Sequence, residues 1–559
     1  MTQSRPTVIE ELSALQRAHG YLRAEELRRL AHRIQTPLYQ LHGVASFYPH
    51  FRLTPPPAAD VLVCDDLSCH LRGGATLRQA AESRVADAGL AGVELRHSSC
   101  LGQCDRAPAC AVNDVIRTGV SVDSLLSDIE ATVHGRALSH GEREAPVAPL
   151  AVDPYPPDGR YGALRALVAG GDPAAALPPL KAAELRGMGG AGFGTALKWE
   201  LVRKASSTTK YIVCNADESE PGTIKDRFLL THVPHLVVEG MIIAGLVTGA
   251  LTGIIYIRHE YHAQRDALER EIATCRREGL LGGNFDLSVF VSPGGYICGE
   301  ESALLEALEG KRAEPRNKPP FPVVAGLWGE PTVINNVETF AYVPAILVKG
   351  PEWFRAQGRG GAPGLKFMGV SGDVARPGVF EIALGTPARE VIYERAGGMV
   401  GGRKLKAFAP SGCSSGFLPA SMIDVPLDFA PLAKAGSMLG SGALVVFADD
   451  RCMLDVALNA VKFFKRESCG KCVPCRVGSA KLVDILETMA HGRGRMEEFA
   501  LVDEIAHATA LTSICGLGQV VPSPIRSALA HFREEIHAHV RDGVCPTGVC
   551  PMAAGVIRS

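Results

Sequence analysis

The chain has 559 residues and a formal charge of −2, with 46% hydrophobic and 21% charged residues. That length exceeds one hydrophobic core and calls for about three to five domains. The near-neutral balance, without a dense Lys/Arg tract, gives no electrostatic reason for nucleic acid or an anionic membrane as partner. Sixteen cysteines would suit a secreted disulfide scaffold, but Met1–Arg17 carries acidic residues and lacks the continuous apolar core of a signal peptide, so a cytoplasmic, reducing compartment is expected.

In residues 1–55, Ile9, Leu12, Leu15, Leu22, Leu27 and Leu30 recur at helical spacing and predict a small helical bundle. Residues 56–135 alternate short strands and helices. Cys64 and Cys69 follow the apolar run Ala59–Val63, and Cys100 and Cys104 follow Val93–Arg96. Two loops leaving one end of a sheet would let four thiolates enclose a [2Fe–2S] rhomb; zinc or a disulfide is the competing reading, weakened by the paired spacers. The Pro-rich segment 136–160 reads as an extended, exposed linker.

From 161 to 345 the runs Tyr211–Val213, Ile254–Ile257 and Leu287–Val291 alternate with helical patterns, as in an α/β domain. Leu236–Ile257 is long enough to span a bilayer, but Glu239, several glycines and Thr252-Gly253 favour a buried helix followed by a core strand. The glycine-dense loop 185–194 leads into a helix, an arrangement that turns backbone amides towards phosphate, although its spacing departs from the dinucleotide fingerprint. Three further blocks follow at 215–223, 296–321 and 331–339. Taken singly, such acidic clusters are most often solvated faces.

Residues 346–432 are richer in Gly and Pro, with strand-like Lys366–Val370 and Val379–Ile382, and predict a β-grasp-like unit. Over 433–535, helical patterns at Met453–Phe464, Lys481–Met489 and Leu501–Ala508 surround Cys469, Cys472, Cys475 and Cys515. Three thiols at intervals of three plus a distant fourth suit a [4Fe–4S] cluster better than zinc. In the tail, 536–559, Cys545 and Cys550 flank a tight turn and, with His539 and Cys452, offer a Cys3His set for Zn²⁺; a frayed tail with incidental cysteines competes, and His537 is a rival ligand that helical geometry turns away from His539. Cys110, Cys214, Cys275, Cys298 and Cys413 read as small buried side chains.

Together the four blocks and the segment Ser468-Cys-Gly-Lys-Cys-Val-Pro-Cys-Arg476 resemble the NADH-oxidising flavoprotein of respiratory complex I and its relatives in NAD-linked hydrogenases and formate dehydrogenases, over about 160–520. The first 135 residues resemble the thioredoxin-like [2Fe–2S] subunit usually found beside it, here fused. The implied fold is multidomain α/β: helical bundle, thioredoxin-like domain, Rossmann-like FMN/NAD domain, β-grasp-like domain and helical cluster domain.

By this resemblance Gly187, Gly189, Gly190, Lys198, Asn215, Asp217, Gly299, Asn335 and Asn336 hold FMN. Phe193, Glu218, Glu220, Tyr296, Glu300, Glu301, Lys318 and Phe321 shape the NAD(H) site. Phe193 and Phe321 offer faces for stacking, carboxylates accept ribose hydroxyls, and their charge disfavours the 2′-phosphate of NADP(H). Glu220, Lys198 and Glu301 position the hydride transfer, which needs no protein acid or base. Two departures stand out: Gly194 replaces a usual proline, and Leu201 replaces an aromatic found in some members.

The fused first domain with all four cysteines and the run Leu418–Phe429 look closest to the diaphorase subunit of a cytosolic NAD-dependent formate dehydrogenase, whose partner would be a large molybdopterin or tungstopterin subunit. A diaphorase subunit of an NAD-linked [NiFe] or bifurcating hydrogenase ranks next and a fused complex I subunit third. An electron-transfer scaffold without flavin is the non-enzyme alternative.

Overall fold

The computed structural model describes residues 6–139, 147–156 and 159–552; Met1–Arg5 and part of the expected linker lie outside them. Helices Val8–His19, Ala24–Arg33 and Leu38–Ala45 bury Ile9, Leu12, Leu27, Leu30 and Leu41 against one another, as the spacing predicts. Thr7 and Glu10 close a capping box at the first helix, each side chain satisfying the other's backbone amide.

The next domain is a four-stranded sheet ordered β2-β1-β3-β4. Strand β1 (Ala59–Cys64) runs parallel to β2 (Val93–Ser98) and antiparallel to β3 (Ala109–Val112), which forms a hairpin with β4 (Val115–Thr118). Parallel pairing in the register Cys64 to Ser98 sends both cysteine-bearing loops out of the same sheet end.

The central domain holds an all-parallel sheet, ordered β7-β6-β5-β8, of β5 (Tyr211–Ala216), β6 (Thr252–Ile257), β7 (Asp286–Val291) and β8 (Thr332–Asn336). The chain moves from β5 through β6 to β7 on one side, then returns to place β8 on the other side of β5. Open parallel sheets bind ligands at such a reversal, beyond the carboxyl ends of the strands. Asn215, Asn335 and Asn336 stand at those ends. Strand β8 lies in the block 331–339, for which no strand was expected.

Helix Pro234–Thr248 is buried along almost its whole length, and its Gly240 lies so close to the next helix, Val337–Lys349, that a Cβ would meet the Phe340 carbonyl. Among the described residues no single helix is long and apolar enough to cross a membrane; this helix and its neighbour Lys225–His232 meet at a 94° bend. Glu239, inside the apolar helix, accepts bonds from the Tyr155 hydroxyl and the Leu164 amide, both at 2.9 Å. Burial pushes its carboxyl from 4.5 up to about 7. Over that interval the folded chain holds a proton the unfolded chain has lost, so its contribution is full below pH 4.5 and vanishes as pH rises through about 7. Glu239→Gln is therefore expected to raise the melting temperature at pH 8 and leave it unchanged at pH 4.5; an equal gain at both would rule the carboxyl out.

The expected linker is anchored near its C-terminal end and is not exposed throughout. Val152 is buried, and the amides of Ala151 and Val152 donate to the Glu381 carboxylate at 2.6 and 2.8 Å. A single carboxylate on a neighbouring strand thus supplies the partners that a Pro-rich segment cannot find in itself.

The β-grasp-like sheet is ordered β10-β9-β13-β11-β12, from β9 (Leu365–Gly372), β10 (Gly378–Ala383), β11 (Leu405–Ala409), β12 (Leu418–Pro419) and β13 (Ala443–Ala448). Strand β13 lies beyond residue 432, so the unit reaches 448 and the boundary expected at 432 moves. Every residue of β13 is buried, which leaves it without the alternation that marks a half-exposed strand. Helices Met453–Glu467, Val473–Ala490, Glu498–Thr512 and Ser523–His531 then form the C-terminal bundle.

Candidate functional site

The glycine loop is a closed hairpin. Gly187 donates to the Phe193 carbonyl at 2.8 Å and Thr195 to that of Leu185 at 2.9 Å. Gly194 precedes helix Thr195–Lys204 without a side-chain cap, so the first-turn amides beyond Thr195 have no side-chain acceptor of their own. A Cβ on Gly189 would sit 2.9 Å from that of Asn336, so the loop lies directly on the end of β8. The helix is fastened there too: Lys198 Nζ donates to the Ile334 carbonyl at 2.8 Å and Trp199 Nε1 to Asn335 Oδ1 at 3.1 Å. Burial depresses the Lys198 ammonium. This cradle of amides, one ammonium and strand-end amides fits the phosphate and ring of FMN.

Asn215 Nδ2 donates to the Gly299 carbonyl at 2.8 Å, which joins the end of β5 to the block at Tyr296. Burial pushes Asp217, bonded by the Ser292 hydroxyl, up to about 6. Lys318 bridges Glu300 and Glu301 at 2.9 and 2.6 Å. Phe193 and Phe321, 46% and 53% exposed, present open faces suited to a flat nucleotide ring. Glu220 accepts the amide and hydroxyl of Ser414, both at 2.9 Å, and burial pushes it up to about 7. Tyr296 meets the same Ser414 hydroxyl at 3.3 Å. The oxygens of Glu218 are committed to the amides of Asp226 and Arg227 and the hydroxyl of Tyr261, at 2.8 to 2.9 Å. Glu218 is therefore a hub of the fold here, not a free ribose acceptor.

Cys64, Cys69, Cys100 and Cys104 are all buried, with the sulfurs of Cys100 and Cys104 3.4 Å apart. Amides point at sulfur: Gly102 N–H to Cys100 Sγ at 3.4 Å and Gly222 N–H to Cys104 Sγ at 3.1 Å. Gly222 belongs to the nucleotide block, not to the cysteine domain. Two arginines, each 3% exposed, complete the seam. Arg258 donates to the Cys100 carbonyl at 2.6 Å and to that of Glu218; Arg227 donates to the Gly102 carbonyl, Gln103 and Asp105. Arg227, Arg258 and Tyr261 carry no spacing signal; the one hint was an arginine directly after the apolar strand Ile254–Ile257.

Hydrogen bonds to its sulfurs help set a cluster's potential. Gly222 has φ +100°, and a Cβ there would lie 2.6 Å from Val445. Gly222→Ala is expected to push the amide off Cys104 and lower the midpoint potential of the [2Fe–2S] signal in an EPR-monitored titration; an unchanged midpoint would dismiss the contact as a tuning element.

Cys472 precedes helix Val473–Ala490, Cys475 lies in its first turn, and Cys515 precedes helix Gly516–Val520. Among the described residues three groups bring three or more ligand atoms within 4.8 Å of one another, and neither cysteine quartet is among them. The group that does converge on sulfur is Cys452, His539, Cys545 and Cys550, all buried. Cys452 Sγ lies 3.4 Å from His539 Nε2 and 3.5 Å from Cys550 Sγ, and the Glu535 carbonyl holds His539 Nδ1 at 2.8 Å. His537 instead packs on Phe499.

The other two groups fit an ion poorly. The rings of His50 and His259 stack at 3.9 Å, so their in-plane lone pairs run side by side, and Asp65 and Asp66 are already paired with His97 and Arg466.

The Nuo51 FMN-binding domain family matches residues 180–345, the NADH-ubiquinone oxidoreductase-F iron-sulfur binding region 455–539, and the thioredoxin-like [2Fe-2S] ferredoxin family 1–132. The F 2 subunit of NADH-quinone oxidoreductase from Rhizobium meliloti is 43% identical over 70% of this chain and 95% of its own length. The HndC subunit of NADP-reducing hydrogenase from Solidesulfovibrio fructosivorans is 41% identical over 68% of this chain and 78% of its own. A chain of NAD+-reducing [NiFe]-hydrogenase in the H2-reduced state superposes with a TM-score of 0.87 at 33% identity, covering 96% of this chain and 94% of that one.

Proposed function

We propose a specific role for this chain, which belongs to the family of NADH-quinone oxidoreductase F subunits and is an FMN-containing NADH oxidoreductase module with [4Fe–4S] and [2Fe–2S] domains: it is the NAD(H)-reactive diaphorase subunit of a cytosolic NAD-dependent formate dehydrogenase. One observation carries the diaphorase reading. The glycine loop lies on the end of β8 beside β5, and the block that follows β5 reaches the two-iron loop, where Gly222 bonds Cys104.

When bound, FMN supplies the conversion between two-electron exchange with NAD(H) and one-electron exchange with the clusters. The protein binds and orients. Gly189, Gly190 and the start of the following helix would offer amides to the FMN phosphate, with Gly187 closing the loop through its bond to Phe193, Lys198 would add a cation, and Asn215, Asp217, Gly299, Asn335 and Asn336 would hold the rest of the group. Phe193 and Phe321 stack the nucleotide, with Glu220, Tyr296, Glu300, Glu301 and Lys318 around it. Cys64, Cys69, Cys100 and Cys104 would hold the two-iron cluster, and Cys469, Cys472, Cys475 and Cys515 the four-iron cluster. Cys452, His539, Cys545 and Cys550 bind zinc.

The purified chain is expected to contain FMN and to oxidise NADH with artificial acceptors. Lys198→Met and Glu220→Gln should each cut turnover by about 100-fold, the scale of a mispositioned reactant, while leaving cluster spectra intact. Unchanged NADH kinetics in both variants would remove these residues from the site.

The formate partner is supported by the four cysteines of the first domain and the run Leu418–Phe429. A second reading, a hydrogenase partner, is favoured by the likeness to the hydrogenase chain over 96% of this one. Co-purification followed by assay with each donor separates them; NAD reduction by hydrogen and not by formate overturns the first reading.

A further inference from the structure

One carboxylate stands among three redox-bearing segments. Glu467 is the last residue of helix Met453–Glu467, two positions before Cys469. One of its oxygens accepts the hydroxyl of Ser99, the neighbour of Cys100. The other accepts the Tyr296 amide at 2.6 Å, in the block bordering the flavin cradle. An acidic residue at a helix C-terminus opposes the helix dipole, and a residue that breaks a local rule calls for a tertiary reason.

The rest of the helix keeps that carboxylate in place. Asn459 donates to the Asp65 carbonyl and accepts the Leu67 amide, both at 2.8 Å, and Arg466 bonds Asp66 at 2.5 Å; all three partners lie between Cys64 and Cys69. Phe463 packs on the Tyr296 ring with centroids 5.1 Å apart. The helix thus runs along the two-iron loop, touches the flavin block, and delivers the four-iron loop from its end.

We propose that Glu467 is a positioning residue for electron transfer: its carboxylate holds the Cys100 loop, Tyr296 and the Cys469 turn in fixed relation, and its negative charge lowers the reduction potentials of both clusters. This rests on the two cysteine quartets holding the clusters assigned above. A glutamine at 467 keeps the size but loses the charge and offers one acceptor oxygen where two donors arrive. An aspartate keeps the charge and falls one methylene short.

The test uses the full chain with flavin and both clusters. In EPR-monitored titrations Glu467→Gln is expected to raise both midpoints, by about tenfold in each reduction equilibrium, which is about 59 mV for a one-electron couple. Glu467→Asp is expected to retain wild-type midpoints but slow the appearance of the [2Fe–2S] signal after mixing with NADH by about tenfold. Wild-type midpoints in Glu467→Gln, or a shift confined to the four-iron cluster, overturn the proposal. If Glu467→Gln loses iron, the Glu467→Asp kinetics decide, and a wild-type rate there overturns it. Absence of either cluster signal from the unmodified chain would fail the cluster assignments instead, so the two failures are distinguishable.

Discussion

Glu338→Ala is expected to destabilise the chain by about 3–5 kcal/mol, the cost of breaking a buried ion pair and leaving its partners uncompensated. Glu338 is fully buried at the start of helix Val337–Lys349 and faces two equally buried ammoniums, Lys225 at 3.0 Å and Lys366. Its other oxygen accepts the Phe367 amide at 2.8 Å and the Tyr342 hydroxyl at 3.1 Å. Against burial, Lys366 and Lys225 hold the Glu338 carboxyl low, and Asp226 and Glu338 hold Lys225 high; Lys366, with less compensation, is depressed by burial to about 8. The network ties the nucleotide domain to β9, and Lys225 also donates to Asn336 at 2.9 Å, so flavin should be lost together with stability. Urea unfolding checks the magnitude. A Glu338→Met, Lys366→Met double variant should recover most of the loss, because apolar replacement of a buried pair is near neutral; a wild-type midpoint in Glu338→Ala alone would show that neither lysine depends on it.

Zinc analysis of the purified chain is expected to return about one equivalent beyond the iron, the stoichiometry of a closed Cys3His site. Cys545→Ser should abolish it. The free energy of structural zinc binding is about 10–16 kcal/mol in small zinc-dependent folds and is available only to the folded arrangement. Here a bound zinc would tie residues 539–550 to Cys452, at the root of the helix that leads to Cys469. Chelation or Cys545→Ser is therefore expected to open the tail to proteolysis while the flavin and both cluster spectra persist. A zinc-free preparation whose tail resists protease would end the assignment. The outer contact from the Glu535 carbonyl to His539 predicts a milder effect for changes around residue 535, since such partners orient the ligand without binding metal.

Much of the candidate site was legible because its chemistry is written at short range. Cys469, Cys472 and Cys475 point to a cluster by spacing, whereas the glycine loop, weak by itself, points to a phosphate cradle only beside the blocks that follow it. The α/β alternation was readable from β5, β6 and β7, whose apolar runs stand between helical patterns. By contrast, β8 was masked by its polar end at Asn335 and Asn336, and β13 by complete burial. The linker looked exposed because nothing within it suggests that Glu381, more than two hundred residues away, would capture its amides.

The sequence by itself determined which thiols, glycines and aromatic faces are available, and even the membership of the Cys3His set, since each residue type has a fixed donor chemistry wherever it stands. Only the tertiary structure decided what joins them. Gly222 as a donor to Cys104, Arg258 on the Cys100 carbonyl, Glu338 between two lysines and Glu467 between Ser99 and Tyr296 all pair residues far apart in sequence. Helix and strand periodicity reports only on which face of an element is buried. Which buried polar group meets which is settled when the domains close, because each donor and acceptor removed from water must then find a partner.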